Sequence, residues 1–224
     1  LGLLPGVFTY PFRGRGKFIL LVGAGSLVAI GFTGLIGTLV LGILLGGYMA
    51  MYLMEVIGSC AGGDDEPPDW PDLRDVDDTV RPLLLCIGAL AIPLAPAGIY
   101  RLAPVISGLL AGKAWWEPLS GVAWALLIAG AIYAPMGLLS VTMHQSLAAI
   151  SPHKVLVAIV RVAPCYVVAL TIMAVACIAS AVAAMYLSFV PLAGQVLTLY
   201  LLLVEGRVLG LIYRTQARRL RWFE

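Results

Sequence analysis

Apolar residues run along this chain in long stretches separated by short polar intervals, with none of the strict alternation that marks half-buried strands. Where water is absent a helix must satisfy its own backbone hydrogen bonds, and crossing roughly 30 Å of hydrocarbon takes about 20 apolar residues. Six stretches meet that measure: residues 18–35, 38–58, 80–100, 121–143, 164–189 and 192–213. Gly31, Gly34 and Gly37 predict a tight turn between the first two. The third is the least regular, because Pro93, Pro96 and Pro104 each remove a backbone donor and crowd the preceding turn, so a kink or break is expected there. The predicted fold is all-α, a single polytopic membrane domain over residues 1–224 with six transmembrane helices.

Two shorter elements lie between the spans. Ser151 followed by Pro152 is a good helix start, and it opens a segment over 152–162 that carries Lys154 and Arg161 among valines before Pro164. This predicts an interfacial helix before the fifth span. Residues 105–119, with Lys113, Trp115, Trp116 and Glu117, read as an interfacial aromatic belt. Orientation follows from Lys and Arg in the short loops. Arg13, Arg15 and Lys17 precede the first span, Lys154 and Arg161 precede the fifth, and Arg214, Arg218, Arg219 and Arg221 follow the sixth, while the opposite face has only Arg101 and Lys113. The basic face is the cytoplasmic one, so both termini are expected there.

Composition agrees with this picture: 61% of residues are hydrophobic and 12% charged, with a mean hydropathy of +1.00, far from a soluble domain's quarter-charged make-up. Cys60, Cys86, Cys165 and Cys177 lack the spacing of a zinc site and read as small buried hydrophobes. Residues 1–10 contain Pro5 and no cleavage pattern, and a chain opening on leucine reads as a piece of a longer one. No HExxH, GxSxG, phosphate loop or dinucleotide fingerprint is present. The expectation is therefore no enzyme, no catalytic residue, no cofactor, no metal and no nucleic-acid partner. Gly42 and Gly46 form a GxxxG that suits close helix packing.

Charges inside spans point to function, because each costs at least ~2.5 kcal/mol to insert. Glu205 and Arg207 form the candidate intramembrane polar site. Two residues apart, they lie on nearly opposite helix faces and are not natural partners. Arg207 is long enough to snorkel, whereas Glu205 needs a partner on another helix or subunit, or else a proton. Glu55, near the end of the second span, reads as solvated or capping. His144 and His153 read as plain interfacial polar residues.

Eight of the twelve acidic residues fall within positions 64–78, in a cytoplasmic loop over residues 59–79. Its prolines keep it extended, and Trp70 sets one large apolar anchor among the carboxylates. Besides a merely solvated loop, this is the form of a docking element, with Asp64, Asp65, Glu66, Asp69, Trp70 and Asp72 as the candidate contacts. Arg13, Arg15, Lys17, Arg214, Arg218, Arg219, Arg221 and Trp222 are the candidate lipid contacts, each basic residue being worth about 1 kcal/mol on anionic lipid. A clamp of the basic tail on the acidic loop is the alternative.

Gly47 and Tyr48 within a span, about a dozen residues to Gly62 or Gly63, then acids and the run Pro67, Pro68, Asp69, Trp70, Pro71, Asp72 resemble the hallmark of the domain-of-unknown-function 4013 family of archaeal and bacterial polytopic membrane proteins. The entry from Tyr10 to Gly16, the helix from Ser151 to Pro164, and the ending with Arg207, Gly210, Arg219, Leu220, Trp222 and Phe223 look similar to bacterial members. The resemblance implies a six-span cytoplasmic-membrane protein and brings no catalytic residues with it. The function expected is a non-enzymatic integral subunit or scaffold that packs against membrane lipid and other membrane proteins and docks partners through the acidic loop. The alternative is a transporter or channel-like protein using Glu205, helped by the proline-rich third span.

Overall fold

The computed structural model describes residues 5–31, 34–69, 76–110, 120–186, 191–220 and 222. Among them it is all-helical, with no strand, as the long apolar stretches require. The order is α1 (Pro5–Thr9), α2 (Gly16–Gly31), α3 (Gly34–Gly62), α4 (Val76–Leu110), α5 (Gly121–His144), α6 (Pro152–Arg161), α7 (Ala163–Tyr186) and α8 (Pro191–Leu220), with 3-10 turns at Tyr10–Phe12 and Leu147–Ile150. Five helices, α3, α4, α5, α7 and α8, are long and apolar enough to cross a membrane. The sixth expected crossing, α2, has 16 residues, about 24 Å at 1.5 Å per residue, and its join to α3 at residues 32–33 lies outside the described residues.

Several predicted boundaries move. α4 passes through Pro82, Pro93, Pro96 and Pro104 without interruption, which corrects the expected break. Prolines are tolerated in membrane helices where neighbouring groups cover the freed carbonyls. Ala89 O, which loses its helical donor to Pro93, lies 3.7 Å from where a Cβ on Gly137 of α5 would sit. α4 also runs on to Leu110, so the predicted interfacial segment over 105–119 begins as helix; Lys113, Trp115, Trp116 and Glu117 lie outside the described residues. Glu55 is exposed two turns before the end of α3, which fits the solvated rather than the capping role.

The chain divides into two compact units, residues 1–84 with 159–224 and residues 85–158. In the second, α5 starts on an N-cap in which Ser120 Oγ accepts from Ala123 N, and ends where Gln145 adopts the left-handed conformation. Ser140 Oγ donates to Ala149 O (3.0 Å) and the Tyr133 hydroxyl to Ile150 O, which seat the Leu147–Ile150 turn on α5. α6 is amphipathic, burying Val155 and Ala158.

In the first unit α8 is the central helix, packed by α2, α3 and α7. Of its apolar span 61% is buried, against 17% for α7. The close contact of α8 with α3 depends on Gly206 and Gly210. A Cβ on Gly206 would come within 2.9 Å of Leu53 Cδ1, and one on Gly210 would overlap Cys60 Cβ. This pair, four residues apart, is the GxxxG that packs in the fold. Gly42 and Gly46, picked out from sequence, have nothing within 4 Å. Tyr10, Leu20, Tyr52, Val56, Cys60 and Leu203 build the core between the helices.

Candidate functional site

α3 ends in a reversal that only glycine makes without strain. Gly63 sits at φ +114°, and the N–H groups of Gly63 and Asp64 both donate to Ser59 O at 3.0 and 3.1 Å. Ser59 Oγ donates to Asp64 Oδ2 at 2.8 Å. The chain thereby turns back across α8, and residues 64–69 continue without helix, with Pro67 buried.

Much of this stretch is held through its own carbonyls. Arg207 donates to Asp64 O, Arg13 to Asp65 O (3.5 Å), the Tyr10 hydroxyl to Glu66 O (3.5 Å) and the Tyr52 hydroxyl to Pro68 O (3.4 Å). Gly14, at φ +48°, leaves room for the Glu66 side chain, since a Cβ there would come within 2.9 Å of Glu66 Oε2.

Arg207 is the centre of the site. It is 4% exposed, where a guanidinium is tolerated only if paired and hydrogen-bonded. One terminal nitrogen donates to Asp64 O and meets Cys60 Sγ at 3.2 Å, and the other pairs with the Asp65 carboxylate. Its carbon lies 4.8 Å from the centroid of the Tyr10 ring, a cation–π contact in a desolvated place. Burial, and then the Cys60 thiol, pushes the Tyr10 phenol well above its ordinary range, so the ring stays neutral. Arg207 Nε is buried and finds no partner among the described residues. Asp65 Oδ1 also meets Arg214 at 3.4 Å. Arg207, followed by Arg214 and Arg13, holds the Asp65 carboxyl below the usual carboxylate range. At the rim, Asp69 pairs with Arg15 at 2.9 Å, both side chains about 70% exposed.

The structure thus brings together Asp64, Asp65, Glu66, Asp69, Arg13, Arg15, Arg207 and Arg214. Trp70, Asp72 and Arg221 lie outside the described residues. Arg207 reaches a carbonyl and a carboxylate of the loop. Arg13, Arg15 and Arg214, expected on lipid, contact the loop, as the clamp alternative required of the tail. Lys17, Arg218 and Arg219 are exposed, and the Trp222 ring lies 5.8 Å from that of Tyr213. Sequence reasoning missed Tyr10, Tyr52 and Cys60. The available signal was Arg207 between two glycines spaced for close packing.

Glu205 points elsewhere, as expected. Half-buried, it meets the Cys177 thiol of α7 at 3.7 Å, and among the described residues no Arg, Tyr or His pairs with it. Cys177 and Cys165 are exposed, which corrects their assignment as buried; Cys60 and Cys86 are buried. Among the described residues no three His, Cys, Asp or Glu side chains gather as a metal site needs.

One end of this unit collects the basic groups. The segment before α2, the end of α3 and the end of α8 meet around the loop, and Arg161, just before α7, donates to Leu220 O at 3.2 Å. Comparison with known proteins finds no matching family model, no matching curated protein and no matching solved structure. The class of protein that the helices define is a multi-pass membrane protein.

Proposed function

We propose that the chain is a non-enzymatic subunit or scaffold of a bacterial cytoplasmic membrane, with six spans and both termini cytoplasmic, related to the domain-of-unknown-function 4013 family. The observation that carries this reading is the loop over 64–69, held in one conformation by four arginines from distant parts of the chain. A solvated linker has no need of such a clasp, and preorganisation is what a recognition surface gains from it. Asp65 is engaged by the buried Arg207, so docking falls to Glu66, to Asp69, whose pair with Arg15 lies open to solvent, and to Trp70 and Asp72 that follow. The gathering of Arg13, Arg15, Lys17, Arg161, Arg214, Arg218 and Arg219 at one end supports the cytoplasmic orientation.

Purification of the native protein in a gentle detergent, with mass spectrometry of what accompanies it, tests the proposal. A defined complex at fixed stoichiometry is expected, lost on replacing Glu66 and Asp69 by lysine. A lone monomer or homo-oligomer would overturn it. Transport is the second reading, favoured by Glu205, an intramembrane carboxylate whose contact is a thiol and not a cation. Glu205→Gln in a proteoliposome flux assay separates the two: transport requires loss of flux, and the scaffold has no flux to lose.

A further inference from the structure

An apolar groove of about 320 Å³ runs between α7 and α8, lined among others by Val168, Ile172, Val208, Leu211, Ile212 and Thr215. On α8 the groove residues recur every three or four positions, so the same helix face continues one turn further to Arg218 and Arg219, both exposed. On the α7 side, the Arg161 guanidinium lies against the end of α8 at Leu220 O. Arg218 and Arg219 thus follow Thr215 on the groove's α8 face, Arg161 meets the end of the same helix, and the groove's own wall is apolar apart from the Cys165 thiol and the Thr215 hydroxyl.

We propose that this groove is a binding site for one anionic phospholipid, its acyl chain lying along α7 and α8 and its phosphate held by Arg161, Arg218 and Arg219. The charge complementarity selects an anionic headgroup, and basic pockets between membrane helices bind such headgroups. The apolar wall selects a chain, because a free phosphate would leave it empty. Gln216 Nε2, 3.4 Å from Cys165 Sγ, ties the two helices together at the mouth. The inference rests on the membrane-spanning reading above and goes beyond it by naming a ligand.

The test is native mass spectrometry of the full chain in mild detergent, with phosphatidylglycerol or phosphatidylcholine added. Wild type is expected to retain one phosphatidylglycerol in preference to phosphatidylcholine. Each arginine contributes about fivefold, so Arg218→Gln with Arg219→Gln should weaken phosphatidylglycerol binding about thirtyfold and leave phosphatidylcholine unchanged. Val168→Trp fills the groove from an exposed position and should remove the bound lipid at an unaltered melting temperature. Equal retention of both lipids by wild type, or a preference that survives the arginine changes, overturns the site; the arginine variant decides alone if Val168→Trp does not fold. Resistance of the protein to carbonate extraction together with no lipid preference would overturn this inference and leave the membrane reading intact, whereas extraction by carbonate would sink both.

Discussion

A buried guanidinium costs several kcal/mol unless its donors are met, and Arg207 offsets that cost with a carbonyl, a carboxylate, a thiol and an aromatic face. Hydrogen bonds to a charged group contribute about 1.5–3 kcal/mol each. Arg207→Gln should therefore lower stability by about 2–4 kcal/mol, read as a fall in melting temperature in detergent. Arg207→Lys should recover little of it, because an ammonium has no planar fork to reach Asp64 O and Asp65 together. A full rescue by lysine would mean that charge alone matters. The pH dependence follows from Asp65, whose folded-state carboxyl is held down chiefly by Arg207. A depressed carboxyl contributes stability that is fully present above its unfolded value of about 3.9 and is lost as pH falls through the folded value. Melting temperature should therefore decline below about pH 4 more steeply in wild type than in Asp65→Asn. Parallel curves would place the acid sensitivity at another carboxylate. The Arg15–Asp69 pair is exposed, so Asp69→Asn should leave the melting temperature unchanged.

Among the elements, what was legible in the sequence is what hydropathy controls. The last five predicted spans correspond to α3, α4, α5, α7 and α8, and the Ser151, Pro152 start correctly opened α6, because length, apolarity and capping act over a few consecutive residues. The prolines of α4 allowed a kink or a break, and the helix is unbroken across them, because local sequence does not show which neighbouring groups cover a freed carbonyl. The spacing of Gly42 and Gly46 is the same as that of Gly206 and Gly210, and only the packing distinguishes the two pairs. Gly210→Val should destabilise by roughly 1–3 kcal/mol or more, the cost of forcing extra methyl groups into a packed contact. Gly46→Leu should change stability by less than about 0.5 kcal/mol in the isolated chain, since it meets open space. Thermal unfolding of the two variants side by side checks both, and equal sensitivity would mean that α3 has a second packed face. The Arg207 clasp was illegible for a different reason: its carboxylate partner is 142 residues away in the chain, and no local pattern encodes a contact formed only when α8 lies against the end of α3.

At the scale of the whole molecule the clasp constrains topology. The segment carrying Arg13 and Arg15, the loop after α3 and the later part of α8 touch one another, so all three must lie on the same side of a membrane. A short α2 does not relax this, because the contact fixes where its preceding segment ends up. In the orientation proposed above, from the positive-inside rule, that side is the cytoplasm. Single cysteines at Lys17→Cys, Glu66→Cys and Arg218→Cys test both steps, in a background with Cys165→Ala and Cys177→Ala, since those two native thiols are exposed and the other two are buried. All three positions are expected to resist a membrane-impermeant maleimide in intact cells and to label once the membrane is opened. Labelling of all three from outside would keep the clasp and reverse the orientation. Labelling of one but not the others would break the clasp itself, because no arrangement of spans can place residues in hydrogen-bonded contact on opposite faces of a bilayer.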